Sequence, residues 1–192
     1  MDHYVYPGTS VLRNLAGLED ADRLAEREAQ ASTLRLAQLA ALRIEGAYDL
    51  AHLQKFHCII FQDIYSWAGE LRSVPLAKPG TMFALPEHIE NYMSNVLRQL
   101  AGESLLRGLL RDPFAERVTH YYAEINAVHP FREGNGRAQR AFLRQLALDA
   151  GHTLTWERLD PDMLIHASQQ SFQGDNRPMR ALIDEVLDLP NH

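Results

Sequence analysis

The chain has 192 residues, 46% of them apolar and 23% charged, which fits one globular domain able to bury a core and excludes a disordered chain. Its net charge of −6 excludes a general nucleic-acid binder, because duplex phosphates call for a basic surface. The single cysteine, Cys58, cannot close an internal disulfide; between His57 and Ile59 it reads as a buried small hydrophobe in a reducing compartment.

The first residues, Met1-Asp2-His3-Tyr4-Val5-Tyr6-Pro7-Gly8, carry no basic-then-apolar signal. No apolar run reaches membrane-spanning length, so a cytoplasmic protein without membrane contact is expected. Asp20 to Leu42 is rich in Ala, Leu, Glu and Arg and predicts a helix. Leu50, Leu53, Phe56, Ile60 and Ile64 recur at helical spacing, as do Ile89, Tyr92, Met93, Val96 and Leu100, with Pro86 at a first helical position. Between them, Glu70 to Leu85 breaks the pattern with Pro75, Pro79 and Gly80. It predicts a short two-stranded flap turning near Lys78-Pro79-Gly80-Thr81, with a loop lacking regular structure as the alternative.

Asp112-Pro113 reads as an N-cap followed by a first-turn proline. Phe114, Val118, Tyr121, Tyr122 and Ile125 then line one face, and the helix ends before His129-Pro130. The next helix begins at Gly136 or Arg137 and runs to Ala150, with Gly151 as its stop. Two more begin near Pro161 and Pro178. There is no internal repeat or low-complexity tract, and the class is mainly α: a helical bundle with a β-hairpin flap.

The chemistry concentrates in His129-Pro130-Phe131-Arg132-Glu133-Gly134-Asn135-Gly136-Arg137-Ala138-Gln139-Arg140. Gly134 and Gly136 permit positive φ and close approach of a ligand. Successive amides in such a turn, leading into a helix N-terminus, favour an anion. Asn135 adds an amide able to donate to a phosphate oxygen. Arg137 and Arg140 share one helix face and suit phosphate oxygens, with Arg132 and Arg144 adding to a local basic site. Glu133 would repel phosphate unless a cation lies between them, and Mg²⁺ is the natural ion. His129 is the one group here that titrates near neutrality, hence the candidate general base. Phe131 reads as a pin into the core.

These twelve residues match every fixed position of the Fic pattern, His-x-Phe-x-(Asp or Glu)-Gly-Asn-Gly-Arg-x-x-Arg. The chain also resembles Fic proteins at Phe61-Gln62-Asp63-Ile64-Tyr65-Ser66-Trp67-Ala68-Gly69-Glu70-Leu71-Arg72, before the flap, and at Tyr6 to Asn14, like the opening of stand-alone bacterial Fic toxins. The resemblance implies a Fic-fold bundle as a single domain over 1–192, with an N-terminal helical region 1–48, a core 49–192, the flap at 70–85 and the active loop at 129–140. It implies a protein adenylyltransferase that moves AMP from ATP to a hydroxyl of a target protein and releases diphosphate. By position, His129 is the base and Glu133 holds Mg²⁺. Gly134, Asn135 and Gly136 cradle the phosphates, and Arg137 and Arg140 bind the β- and γ-phosphates.

The segment Gln169 to Arg177 resembles the family's nucleotide-side wall, with Asp175 and Asn176 as contacts; the alternative is a helix end at Gly174 followed by a cap. The flap residues Lys78, Pro79, Gly80, Thr81, Met82 and Phe83 would dock the target as an added strand. Ile44-Glu45-Gly46 resembles the end of the family's inhibitory motif, but Ala41 lacks the required hydroxyl. A separate small antitoxin carrying the inhibitory helix is therefore expected, making the chain the toxin of a pair. DNA gyrase or topoisomerase IV are the targets the resemblance suggests. A γ-phosphate transferase and a catalytically silent nucleotide-binding module are the competing readings.

Overall fold

The computed structural model describes residues 2–78 and 81–188. Seven α-helices make up most of it. α1 (Ala21–Ala41) and α2 (Leu50–Phe61) start on Asp20 and Asp49, whose side chains accept the N–H groups of Arg23 and His52. Each aspartate satisfies a first-turn donor that has no partner inside the helix. α3 (Pro86–Gly102) opens on its proline as expected.

α4 (Arg111–Val128) differs from expectation at its start. The cap is Leu110, without a side-chain bond, and Asp112 lies in the first turn, exposed beside Arg111 at 3.5 Å. Pro113 is accommodated there because first-turn amides have no intrahelical acceptor to lose. α5 (Asn135–Ala150) stops on Gly151 at φ 88°, as its sequence predicts. α6 (Pro161–Phe172) and α7 (Arg177–Val186) complete the set.

α4 is the axis of the fold and packs against α3, α5, α6 and α7. Phe114, Ala115, Val118, Tyr121, Tyr122 and Ile125 are all buried along it. Each large side chain removed from water there contributes on the order of 2 kcal/mol. α2 crosses α5 and α1 on the other flank and buries Leu53, Phe56, His57 and Ile60. Cys58 projects from the opposite face and is exposed, so the expectation of a buried thiol is corrected.

Two small antiparallel sheets join the helices. β1 (Ala77–Lys78) and β2 (Thr81–Met82) form the expected flap, with Ala77 opposite Met82 and Lys78 opposite Thr81. The expected turn at Pro79-Gly80 lies outside the described residues. β3 (Thr153–Leu154) and β4 (Leu187–Asp188) tie the end of α5 to the end of α7. Two-residue strands carry no periodicity, which is why nothing in the sequence announces this second pair.

Candidate active site

His129 caps α4 in the left-handed region, at φ 52° and ψ 64°. For a residue with a Cβ this conformation costs about 1–2 kcal/mol, and several bonds hold it. The His129 N–H donates to the Ile125 carbonyl at 3.0 Å. Nδ1 lies 3.3 Å from the Asn126 carbonyl oxygen. A carbonyl can only accept, so Nδ1 carries the proton in the neutral ring and Nε2 keeps its lone pair. The ring stacks on Phe83 from the flap, centroids 4.0 Å apart.

Under the loop, Phe131 is buried as expected and stacks on His57 at 3.9 Å. His57 Nδ1 accepts the Gly69 N–H at 2.8 Å, which leaves Nε2–H to donate to the Glu133 carbonyl at 2.9 Å. Burial pulls the His57 pKa down to about 4, so this pin is neutral. Gly134 sits at φ +77°, and a Cβ there would fall 2.1 Å from Phe61 Cζ. The glycine is therefore required twice, for its conformation and for its lack of a side chain.

Asn135 also braces the loop. Its Oδ1 accepts the Phe131 N–H at 2.8 Å and its Nδ2 donates to the Phe131 carbonyl at 2.7 Å. Both ends of the buried amide close the loop on itself, which leaves one Nδ2–H beyond these two bonds. The backbone adds anion-binding capacity. The first bond onto α5 runs from Ala138 N–H to the Gly134 carbonyl, so the amides of residues 135–137 precede the helical ladder.

The charges gather around that helix start. The Glu133 carboxylate, 44% exposed, accepts the Gly134 N–H at 2.8 Å and stands 3.5 Å from Arg137. Arg137 is gripped from α1: Nη2 donates to Glu28 at 2.5 Å and Nη1 to Ser32 at 3.1 Å. Its guanidinium lies over the Phe61 ring, 4.7 Å from the centroid. Glu28 also accepts from Tyr65 Oη, whose pKa burial and this carboxylate both raise. Arg140 is partly buried beside Tyr122, and desolvation lowers its pKa. Arg132 also borders this region, its guanidinium paired with Asp2 at 2.9 Å. Glu45 is bound to Arg43 at 3.0 Å and does not meet Arg140.

His129, Glu133, Gly134, Asn135, Gly136, Arg137 and Arg140 line one cleft of 580 Å³. Its far wall is α6, through Leu164, Ile165, Ser168, Gln169 and Phe172, together with Tyr122 and Asn126 of α4. Asp175 and Asn176 are not brought to it. Asp175 pairs with Arg177 at 2.8 Å, and Asn176 accepts from Ser171 at 2.7 Å and borders a separate cleft between α4 and α7. Gly174 at φ +93° ends α6 and turns the chain away before these two residues arrive. Of the expected wall segment, Gln169 and Phe172 do line the cleft.

In the flap, Met82 is 75% exposed, whereas Phe83 is buried against His129. Phe83 thus packs the His129 ring at the edge of the cleft and is not exposed like Met82. Lys78 and Thr81 lie on the paired strands.

Three supports went unseen in the sequence: Glu28, His57 and Arg72. The Arg72 side chain is 2% exposed and its guanidinium donates only to backbone carbonyls, including that of His129 at 2.8 Å. The α6 wall could have been found, since Pro161, Leu164, Ile165, Ser168 and Phe172 follow one helical stripe.

The Fic/DOC family model matches residues 47–147. The chain belongs to the Fic/DOC family. Over 186 residues this Fic/DOC chain is 41% identical to "Protein adenylyltransferase VbhT" of Bartonella schoenbuchensis, covering 97% of this chain and 39% of VbhT. It thus spans well under half of that relative. It is 39% identical to "Probable protein adenylyltransferase Fic" of Salmonella typhimurium, over 97% of this chain and 92% of that protein. The crystal structure of BepC from Bartonella tribocorum with bound AMPPNP superposes with a TM-score of 0.94, at 26% identity, over 98% of this chain and 97% of that one.

Proposed function

We propose that this chain is a protein adenylyltransferase that joins AMP from ATP to a hydroxyl of a target protein. The observation that carries this reading is one cleft lined by His129, Glu133, the start of α5, Arg137 and Arg140, in a chain whose relatives bear that activity in their names. A triphosphate fits the basic end, where helix amides and two guanidiniums converge. The apolar α6 wall suits the adenine base, in place of Asp175 and Asn176.

His129 Nε2 takes the hydroxyl proton. The hydroxyl oxygen bonds to the α-phosphorus, and the bond from that phosphorus to the β-bridging oxygen breaks. Diphosphate leaves with its negative charge met by Arg137, Arg140 and the amides of residues 135–137. Stacking on Phe83 and the Nδ1–H bond to Asn126 keep the imidazole in one orientation and one tautomer.

The donor set also fits Mg²⁺. Among the described residues no group of three or more His, Cys, Asp or Glu could hold an ion by itself. One half-exposed carboxylate, Glu133, suits an ion that completes its shell with water and phosphate oxygens. Bound there, the ion would offset phosphate charge against Glu133.

Labelled ATP tests the reading. Label at the α-phosphate is expected to enter protein, and His129→Ala to slow this by about 10²–10⁴-fold with ATP binding retained. Transfer at the parent rate in the variant, or entry of γ-label instead, would overturn it.

The regulator we propose is a small antitoxin presenting an acidic helix, which makes the chain the toxin of a pair. A 420 Å³ groove between α1 and α5, walled by Leu36, Leu39 and Leu148 and opening onto Arg137 and Arg140, supports this. We place the pair in the cytoplasm, in keeping with the unpaired Cys58 and with the absence, among the described residues, of a helix able to cross a membrane. DNA gyrase and topoisomerase IV are the targets to assay first. Recovery of label from a membrane fraction, or in proteins other than these, would redirect both choices.

A further inference from the structure

Among the described residues, Arg72 is the one arginine or lysine enclosed almost completely, at 2% exposure. Its four guanidinium hydrogen bonds all go to main-chain oxygens, and these come from two places. Nη1 donates to the Val74 carbonyl at 2.9 Å and Nη2 to that of Ala84 at 2.5 Å. Those residues flank the flap strands on either side. Nε donates to the His129 carbonyl at 2.8 Å and Nη2 also to that of Val128 at 3.1 Å. The Arg72 N–H adds a bond to the Pro130 carbonyl at 2.9 Å. One rigid, planar fork therefore spans both stems of the flap and the end of α4.

The position of this fork gives it a task beyond filling space. His129 is held at positive φ, a conformation that must be imposed on a residue with a side chain. Phe83, whose N–H bonds to the Leu76 carbonyl across the base of the flap, stacks on the His129 ring. The carbonyls Arg72 grips belong to His129 itself and to Ala84, the neighbour of Phe83.

We propose that Arg72 is a positioning residue that couples the flap to the general base, fixing the His129 backbone and the Phe83 ring in one register. The proposal rests on the adenylyltransferase reading for its kinetic consequence only. A lysine cannot replace the fork, since an ammonium lacks the planar spread that reaches both sets of carbonyls.

The test uses the whole chain and compares Arg72→Ala and Arg72→Lys with the parent. Nucleotide affinity should stay within about threefold, because Arg72 is not among the residues lining the cleft. Transfer from α-labelled ATP should fall about a hundredfold in kcat with KM for ATP little changed, the cost of misplacing a reacting group by an ångström. Millimolar guanidinium should restore part of this in Arg72→Ala and none in His129→Ala. Independently of activity, the His129 ring protons, assigned by their loss in His129→Ala, should shift as the Phe83 stack is lost.

Folded variants with parent His129 shifts and parent transfer rates would overturn the proposal. So would equal losses of nucleotide affinity and transfer, or failure of both variants to fold, since each makes Arg72 scaffold alone. If the parent itself transfers no label, the adenylyltransferase reading fails, and the His129 shifts still decide the positioning role.

Discussion

Arg137 has the geometry of a tool held in a grip. Glu28 and Ser32 take one N–H from each terminal nitrogen, Phe61 supports the plane, and the residue lines the cleft beside Glu133. A charge-assisted bond of this kind fixes direction as well as distance. Glu28→Gln keeps the shape and removes the charge. We expect KM for ATP to rise about tenfold, the equivalent of losing roughly 1.4 kcal/mol of orientation and charge pairing, with kcat little altered. Initial rates against ATP concentration check this, and an unchanged KM would reduce Glu28 to a surface partner of α1. The motif residues were legible because eight fixed types recur together in twelve positions. Glu28 was not, because it is one of three acids on a charged helix, with Asp22 and Glu26, and no spacing singles it out. Arg72 was hidden for the same reason: on paper a buried arginine between loop residues looks like any solvated one.

At the scale of elements, α2 acts on the active loop through His57. A free imidazole titrates near 6.5, and this one is held at about 4 by burial. Between those values the unfolded chain takes up a proton that the folded chain refuses. The stability from His57 is therefore complete above pH 6.5 and drains away as pH falls toward 4, in total by roughly 3 kcal/mol. His52, also lowered by burial, acts in the same direction. Urea midpoints at pH 7 and pH 4.5 should differ more for the parent than for His57→Gln, which keeps a donor for the Glu133 carbonyl; equal differences would show that His57 does not titrate as described. The helices themselves were largely readable, since composition over Asp20 to Leu42, apolar spacing from Leu50 and the proline at Pro86 mark them, although α2 ends at Phe61, short of Ile64. The wall of the cleft was misassigned because polar residues after α6 resemble ligand contacts, whereas the chain turns away at Gly174. Composition does not reveal that change of direction; only the left-handed glycine does.

Across the whole molecule, a chain of net charge −6 concentrates arginines on one stripe of α5: Arg137, Arg140 and Arg144, with Leu148 beyond them. α1 covers this stripe incompletely and leaves the groove. An acidic helix lying there would set its carboxylate against Arg140, the partly buried cation beside Tyr122. A helical peptide ending in Glu-Gly, with a serine four residues before the glutamate where this chain has Ala41, should therefore inhibit label transfer in competition with ATP. Arg144→Glu, a change on the groove wall outside the proposed machinery, should weaken that inhibition about tenfold, one unit of repulsion at short range costing on the order of 1 kcal/mol. Inhibition that ignores this change would move the regulator elsewhere.

Because Arg72 clasps carbonyl oxygens, the identities of the side chains at Val74 and Ala84 are of little concern to it. Substitutions along the flap could reshape its rim, residue after residue, while the imidazole beneath stayed in its appointed seat. Innovation at the rim and constancy at the centre would then have a shared cause, one guanidinium indifferent to side-chain lettering.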